Sequence, residues 1–300
     1  MSSPRPTADV CPNGAQALIR TLVACGLRTC FTNPGTSEMH FVAALDSVPE
    51  MRAVLGLFEG VATGAADGYA RMAETTGVTL LHLGPGLGNG LANLHNARRA
   101  RVAILNIVGD HAIDHVRYDA PLQSDIETVA RNVSTWVRTA TATATLGADA
   151  AEAIAAAGGP PGQVATLIVP ADVSWSDGGE PAGPAAISPR AAVPDEAVER
   201  AAAALRGPGR AGILLGGTAL RARGLRAAAR IAAATGARLY CEVFPARLER
   251  GTGLPRLERL ARTVSLRPGR GTVPGVEPGI LDRPGATRTA SHHPQSGYRT

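Results

Sequence analysis

Four stretches of the sequence gather side chains whose types and spacing can do chemistry: Asn33-Pro34-Gly35-Thr36-Ser37-Glu38, Phe58-Glu59-Gly60, His82-Leu83-Gly84-Pro85-Gly86-Leu87-Gly88-Asn89 and Gly109-Asp110-His111. Glu59 is the foremost candidate. It ends an apolar run and opens a helix of small residues, Gly60-Val61-Ala62-Thr63-Gly64-Ala65-Ala66, whose size lets a ligand or another chain come close. A carboxyl group among apolar neighbours suits proton handling, yet a Glu in a first helical turn is favourable with the helix dipole alone, so position and type leave both readings open. His82 is a lone histidine at a strand end, for which a satisfied structural role is the default. The Gly84-Pro85-Gly86 segment is a weak phosphate-loop candidate: it has no Lys, Pro85 interrupts the dinucleotide fingerprint and Asn89 stands at the third glycine position. By itself it reads as a tight turn before a helix. His111 and His115, with Asp110 and Asp114 nearby, have the i, i+4 spacing of a metal pair, but Pro121 and the polar surroundings favour a loop, and no metal is assigned to them. Cys11, Cys25, Cys30 and Cys241 form no C-x-x-C pair, which points to reduced thiols.

All four stretches fall at junctions in a regular alternation. Short β-branched or apolar runs predict strands at Thr29 to Thr32, Arg52 to Phe58, Val78 to Leu83, Val102 to Val108, Ser134 to Arg138 and Val164 to Val169. Ala-rich periodic stretches predict helices at Gly14 to Cys25, Glu38 to Leu45, Glu59 to Met72, Gly88 to Arg98, Ser124 to Ala130 and Ala148 to Ala157. This is an α/β chain with a parallel sheet flanked by helices, several of whose strands are apolar on both faces. In such sheets ligands bind beyond the carboxyl ends of the strands, which is where the four stretches lie. A second α/β unit follows, with helices over Asp195 to Leu205 and Arg221 to Ala234, strands over Ala211 to Leu215 and Arg238 to Phe244, and a turn at Gly216-Gly217-Thr218. That turn could serve a dinucleotide, but the lack of a third strand argues against it. The expected organisation is an N-terminal tail over 1–11, a first domain over 12–175, a linker over 176–192, a partial domain over 193–260 and an irregular tail over 261–300, either disordered or frame-shifted.

With 300 residues, 45% of them hydrophobic, the chain is long enough for two cores. Its net charge of +5 comes from Arg without Lys and without interleaved aromatics, so no nucleic-acid partner is expected. No stretch reads as a membrane span or a secretory signal, and a cytoplasmic location is expected.

Taken in order and spacing, Asn33-Pro34-Gly35-Thr36, Glu59 followed by Ala65-Ala66-Asp67-Gly68-Tyr69-Ala70-Arg71, and Gly84-Pro85-Gly86 with Asn89 and Asn93 resemble the pyrimidine-binding domain of thiamine-diphosphate-dependent 2-oxo-acid enzymes of the acetolactate synthase type. The resemblance covers residues 12–175 and continues less specifically over 190–260, as the start of a central Rossmann-like domain. It implies thiamine diphosphate as cofactor. Glu59 matches the glutamate that hydrogen-bonds N1′ of the aminopyrimidine, with Pro34, Gly35, Gly84, Pro85, Gly86 and Asn89 around it. Thr36, His82, His111 and Gln123 would lie on the substrate side, His82 at the position of an active-site histidine in benzoylformate decarboxylase-like members. The implied activity is decarboxylation of a small 2-oxo acid followed by carboligation, of the pyruvate to 2-acetolactate class; benzoylformate decarboxylase-like decarboxylation and a non-catalytic partner role are the alternatives. The family's Mg²⁺ site, on a C-terminal diphosphate domain with Gly-Asp-Gly and a later Asn, finds no match here, and nothing supports FAD. The chain is therefore expected to be truncated, to supply only the pyrimidine end, to be inactive alone, and to pair with itself or with a full-length homologue.

Overall fold

The computed structural model describes residues 11–187, 189–243 and 245–260. The tail expected over 261–300 lies outside them, as does all but Cys11 of the tail expected over 1–11. Two compact units divide the chain: one runs to Ala192 and takes in 244–248, the other starts at Val193.

The first unit begins with α1 (Gly14–Ala24), whose start is fixed by a reciprocal cap. Asn13 Oδ1 accepts from Gln16 N at 2.9 Å and Gln16 Oε1 accepts from Asn13 N at 3.1 Å, which satisfies two orphan donors of the first turn. There follow β1 (Thr29–Asn33), α2 (Met39–Ala44), β2 (Arg52–Leu55), α3 (Glu59–Ala73), β3 (Gly77–Leu81), α4 (Leu83–Ala100) and β4 (Ile104–Asp110). After them come α5 (Ile126–Arg131), β5 (Trp136–Thr139), α6 (Leu146–Gly158), β6 (Val164–Pro170) and α7 (Ala171–Trp175). The six strands form one parallel sheet in the order β2-β1-β3-β4-β6-β5. Alternate residues feed two cores. Cys30, Val78, Leu80, Leu105, Ile107, Leu167 and Val169 pack under α1, α2 and α6, whereas Leu81, Ile104, Val108, Val164 and Ile168 pack under α3, α4 and α5. Burial on both faces is why β3, β4 and β6 read as nearly continuous apolar runs.

Several expected boundaries move. β2 stops at Leu55 rather than Phe58, because Gly56 turns the chain: its N donates to Thr32 O at 2.8 Å and its O accepts from Asn33 Nδ2 at 2.8 Å. β3 stops at Leu81, and α4 starts at Leu83 rather than Gly88, so the Gly-Pro-Gly segment is the first turn of the helix and not a turn before it. Proline is tolerated there since its missing N–H is one that the helix cannot pair. Part of the expected linker is pinned to α1, with Gly179 N donating to Pro12 O at 2.7 Å and Ala182 N to Thr21 Oγ1 at 2.9 Å.

The second unit holds α8 (Asp195–Arg206), β7 (Gly212–Leu215), α9 (Ala222–Thr235), β8 (Arg238–Cys241) and β9 (Glu258–Arg259), with a parallel sheet in the order β7-β8-β9. The third strand thought missing is therefore present. It is two polar residues long, too short and too polar for an alternation to mark it. No described helix is long and apolar enough to cross a membrane.

Candidate active site

The carboxyl ends of β1, β2, β3 and β4 carry the candidate residues. Glu59 is the first residue of α3 and is buried. Its Oε2 accepts from Asn89 Nδ2, on α4, at 3.0 Å. A Cβ at Gly86 would stand 3.1 Å from Glu59 Oε1, so glycine at that position leaves the second carboxylate oxygen uncrowded. The pairing depends on a close crossing of α3 and α4 through small residues. Asn93 Nδ2 donates to Gly60 O at 2.7 Å, Thr63 Oγ1 donates to Gly90 O at 3.2 Å, and a Cβ on Gly90 would lie 2.9 Å from the Thr63 methyl.

His82 lies next to this carboxylate, its Cβ 3.5 Å from the Cβ position at Gly86. Its Nδ1 is 2.8 Å from Oε2 of Glu38, a buried residue on the 3-10 turn Thr36–Glu38. The same Oε2 accepts from Gly35 N at 2.7 Å. Gly35 has to be glycine for space, since a Cβ there would fall 2.4 Å from the imidazole. Glu38 Oε1 has no hydrogen-bond partner among the described residues, and Gly109 makes room for it: a Cβ at that position would meet it at 1.7 Å. A cavity of about 10 Å³ adjoins, walled by Leu18, Phe41, Leu80, Ile107 and Val169. Burial pushes the Glu38 carboxyl above its ordinary value, while the Gly35 N–H and the His82 ring pull the other way.

Between His82 and α4 the backbone of Leu83 has φ +53°, a left-handed conformation that a buried leucine adopts at a cost, and Gly86 N closes the elbow by donating to His82 O at 2.8 Å. Gly84 faces away from Glu59 and against Ser124, whose Oγ lies 2.0 Å from the Cβ position. Beyond Gly109, burial pushes Asp110 upward, offset by the His111 N–H that it accepts at 2.7 Å. His111 Nε2 and Gln123 Oε1 are both buried without a hydrogen-bond partner among the described residues. His111 and His115 lie in a loop with ring centroids 5.6 Å apart, and no cluster of three ligating side chains occurs among the described residues.

A strip thus runs Asn89, Glu59, Gly86, His82, Glu38, Gly109, Asp110, with Gly35 beneath the imidazole. Pro34 and Thr36 flank it; Thr36 is exposed and makes no hydrogen bond to Glu38, Glu59 or His82 among the described residues. The Ala-Asp-Gly-Tyr-Ala-Arg run serves the scaffold. Asp67 holds Arg71 through two bonds of 2.8 and 2.7 Å, Arg71 also donates to Ala246 O at 2.9 Å, and Tyr69 packs on Phe31 with centroids 5.6 Å apart. Sequence reasoning missed Glu38 as a site residue, taking it only as the start of a helix. Its position three residues after Gly35, where a carboxylate returns to cap the turn, was the available signal.

A family model described as "Thiamine pyrophosphate enzyme, N-terminal TPP binding domain" matches residues 12–131. The chain is 62% identical over 249 residues to the "Putative acetolactate synthase large subunit IlvX" of Mycobacterium tuberculosis, covering 83% of this chain and 48% of that protein. It is 34% identical over 97 residues to a benzoylformate decarboxylase of Pseudomonas aeruginosa, covering 32% of this chain and 18% of that one. The solved thiamine diphosphate-dependent 4-hydroxybenzoylformate decarboxylase of Rhodococcus jostii RHA1 shares the fold with a TM-score of 0.70 at 22% identity, over 78% of this chain and 45% of its own. The chain spans about half the length of the first of these relatives. Over residues 12–131 the chain matches the N-terminal TPP-binding domain of thiamine pyrophosphate enzymes, and its fold agrees with that of a solved thiamine diphosphate-dependent enzyme.

Proposed function

We propose that this chain supplies the pyrimidine-side half of a thiamine-diphosphate site that decarboxylates a small 2-oxo acid and ligates the product to a second one, in the manner of acetolactate synthases. The observation that carries this reading is the buried Glu59 carboxylate at the mouth of the sheet, with Oε2 fixed by Asn89 and Oε1 left open beside Gly86. That arrangement fits a ring nitrogen that needs one charged hydrogen-bond acceptor in a nearly dry setting. When bound, thiamine diphosphate supplies the nucleophilic carbon and the electron sink that 2-oxo-acid decarboxylation requires. Glu59 holds a proton at the pyrimidine nitrogen, Asn89 keeps the carboxylate from turning away, and the α4 elbow holds His82 on the same side.

The diphosphate and its Mg²⁺ need ligands that the described residues do not group together, so the proposal includes a full-length homologue that supplies them. Leu57, Phe58 and Val61, exposed by 91%, 48% and 59%, flank Glu59 in the chain and suit burial by such a partner. A second reading, benzoylformate decarboxylase-like decarboxylation without ligation, is favoured by His82 and its carboxylate partner, a proton-handling pair beside Glu59. Co-expression with a full-length homologue tests both. Glu59→Gln in this chain should lower pyruvate consumption by the co-purified complex by roughly 10²- to 10⁴-fold, and product analysis for acetolactate or aldehyde separates the two chemistries. The purified chain alone should not turn over pyruvate; turnover by it, or an unaffected Glu59→Gln complex, would overturn the proposal.

A further inference from the structure

His82 can present either of two faces to a substrate, and its neighbours decide which. Its ring lies close against Gly35, which leaves no room for a Cβ there, and its Nδ1 is tied to Glu38, so it has little freedom to rotate. One nitrogen, Nδ1, meets Glu38 Oε2 at 2.8 Å. The other, Nε2, makes no hydrogen bond among the described residues, and the side chain keeps 20% exposure. The carboxylate is itself held hard. Its Oε2 accepts the Gly35 N–H, its Oε1 is lodged against Gly109, and its side chain is 1% exposed. A fully buried carboxylate with one unpaired oxygen costs stability, and apart from Ser37 and Ser174 the side chains that line the cavity with it are apolar. The Gly35 cap uses the same oxygen that His82 meets, so capping accounts for one bond of the group and leaves the imidazole contact unexplained.

We propose that Glu38 is a positioning residue that holds the Nδ1–H of His82, so that Nε2 faces the cleft unprotonated and is the atom that takes a proton there. A hydroxyl group of substrate or water in the cleft gives its proton to Nε2 and keeps the electron pair on its oxygen, so one O–H bond breaks as one N–H bond forms; the ring becomes an imidazolium, and the Glu38 carboxylate neutralises that charge in place. The logic is that of a carboxylate orienting a catalytic histidine, which selects the tautomer and supports the charged form. The catalytic meaning of this pair rests on the thiamine reading above, but the tautomer does not.

The test is nitrogen-15 NMR of His82 in the full chain, at a pH where the ring is neutral, with Glu38→Gln and Glu38→Leu beside the parent. The parent should show a pyrrole-type Nδ1 and a pyridine-type Nε2. Glu38→Gln keeps a carbonyl acceptor and should keep that tautomer, whereas Glu38→Leu should lose it in favour of Nε2–H. A parent in the Nε2–H form, as when a protonated Glu38 donates to Nδ1, would overturn the proposal, and so would an unchanged tautomer in Glu38→Leu. Glu59→Gln should leave the tautomer unaltered, so a failed thiamine reading and a failed Glu38 reading give different results. In the co-purified complex, Glu38→Leu should lower kcat by roughly 10- to 100-fold with little change in KM, and Glu38→Gln should recover part of it; an unchanged kcat in Glu38→Leu would remove the positioning role.

Discussion

Cys30 lies fully buried in β1, and burial pushes its thiol up to about 12, because a thiolate there would have no solvation. Cys11 is exposed. Alkylation of the native chain should therefore modify Cys11 rapidly and leave Cys30 untouched until denaturant is added; modification of Cys30 at the rate of Cys11 would contradict its burial. Among the acids, burial raises Glu38 and Asp110 from ordinary values of 4.5 and 3.8. A raised value in the folded state means that the native chain binds the proton more tightly than the unfolded one. The stabilisation from these groups is then complete below their ordinary values and is lost as pH rises through the raised ones. Asp125, Glu127 and Glu152 are held low by hydrogen bonds and act in the opposite sense, so the informative quantity is the difference between parent and variant. Glu38→Gln should gain relative stability in urea melts as pH rises from 4.5 towards neutrality, and a difference that does not vary with pH would refute the buried-carboxylate account.

At the level of elements, β3, β4 and β6 are joined by side chains as well as by their ladders. Thr79 Oγ1 donates to Asn106 Oδ1 at 2.7 Å, Asn106 Nδ2 donates to Thr166 Oγ1 at 3.1 Å, and Ser134 Oγ meets Thr166 Oγ1 at 2.7 Å. These residues sit opposite one another in register, Thr79 with Asn106 and Asn106 with Thr166, within the core under α3, α4 and α5. A slip of either strand would bury each polar group against an apolar partner, so the chain of bonds specifies register. Asn106→Leu removes two bonds and leaves both threonine hydroxyls with fewer partners, for an expected loss of about 2–4 kcal/mol in denaturant melts. A loss under ~0.5 kcal/mol would show that the network contributes nothing net. The crossing of α3 over α4 is equally demanding. Gly90→Ala should push the helices apart by forcing a Cβ to within 2.9 Å of Thr63, weakening the Asn89 to Glu59 bond that depends on their approach.

For the whole molecule, the proposed association would fall on the exposed apolar residues that flank Glu59 in the chain. β2 is an edge strand whose Leu55 is 64% exposed, and the chain runs on through Leu57 and Phe58 to Val61. Isolated exposed hydrophobics are ordinary, and these gain meaning only from the proposed association, which would bury residues that flank Glu59 in the chain. Leu57→Asp with Val61→Asp should abolish association with a co-expressed homologue in size-exclusion chromatography and leave the melting temperature of the chain itself nearly unchanged. If association survives both changes, the partner docks elsewhere.

How much of this could be read in the sequence follows from the range of the interactions involved. Strand and helix identity in the first unit, its parallel character and the placing of Glu59 at a strand-to-helix junction were legible, because side-chain periodicity and glycine or proline punctuation act within a few residues. The end of β2 and the start of α4 were not. Gly56 is turned by Asn33, and Leu83 is bent by an elbow that no local preference favours. Nor could β9 be read from two polar residues that pair only because β8 is beside them. The pairs that make the candidate site belong to tertiary structure alone: Glu59 meets Asn89 across 30 residues and Glu38 meets His82 across 44. Sequence placed each of these side chains at the end of its own element. Which ends became neighbours was decided by the order β2-β1-β3-β4, and that order is set by how helices of particular bulk pack on both faces of the sheet, a condition that no short stretch of chain encodes.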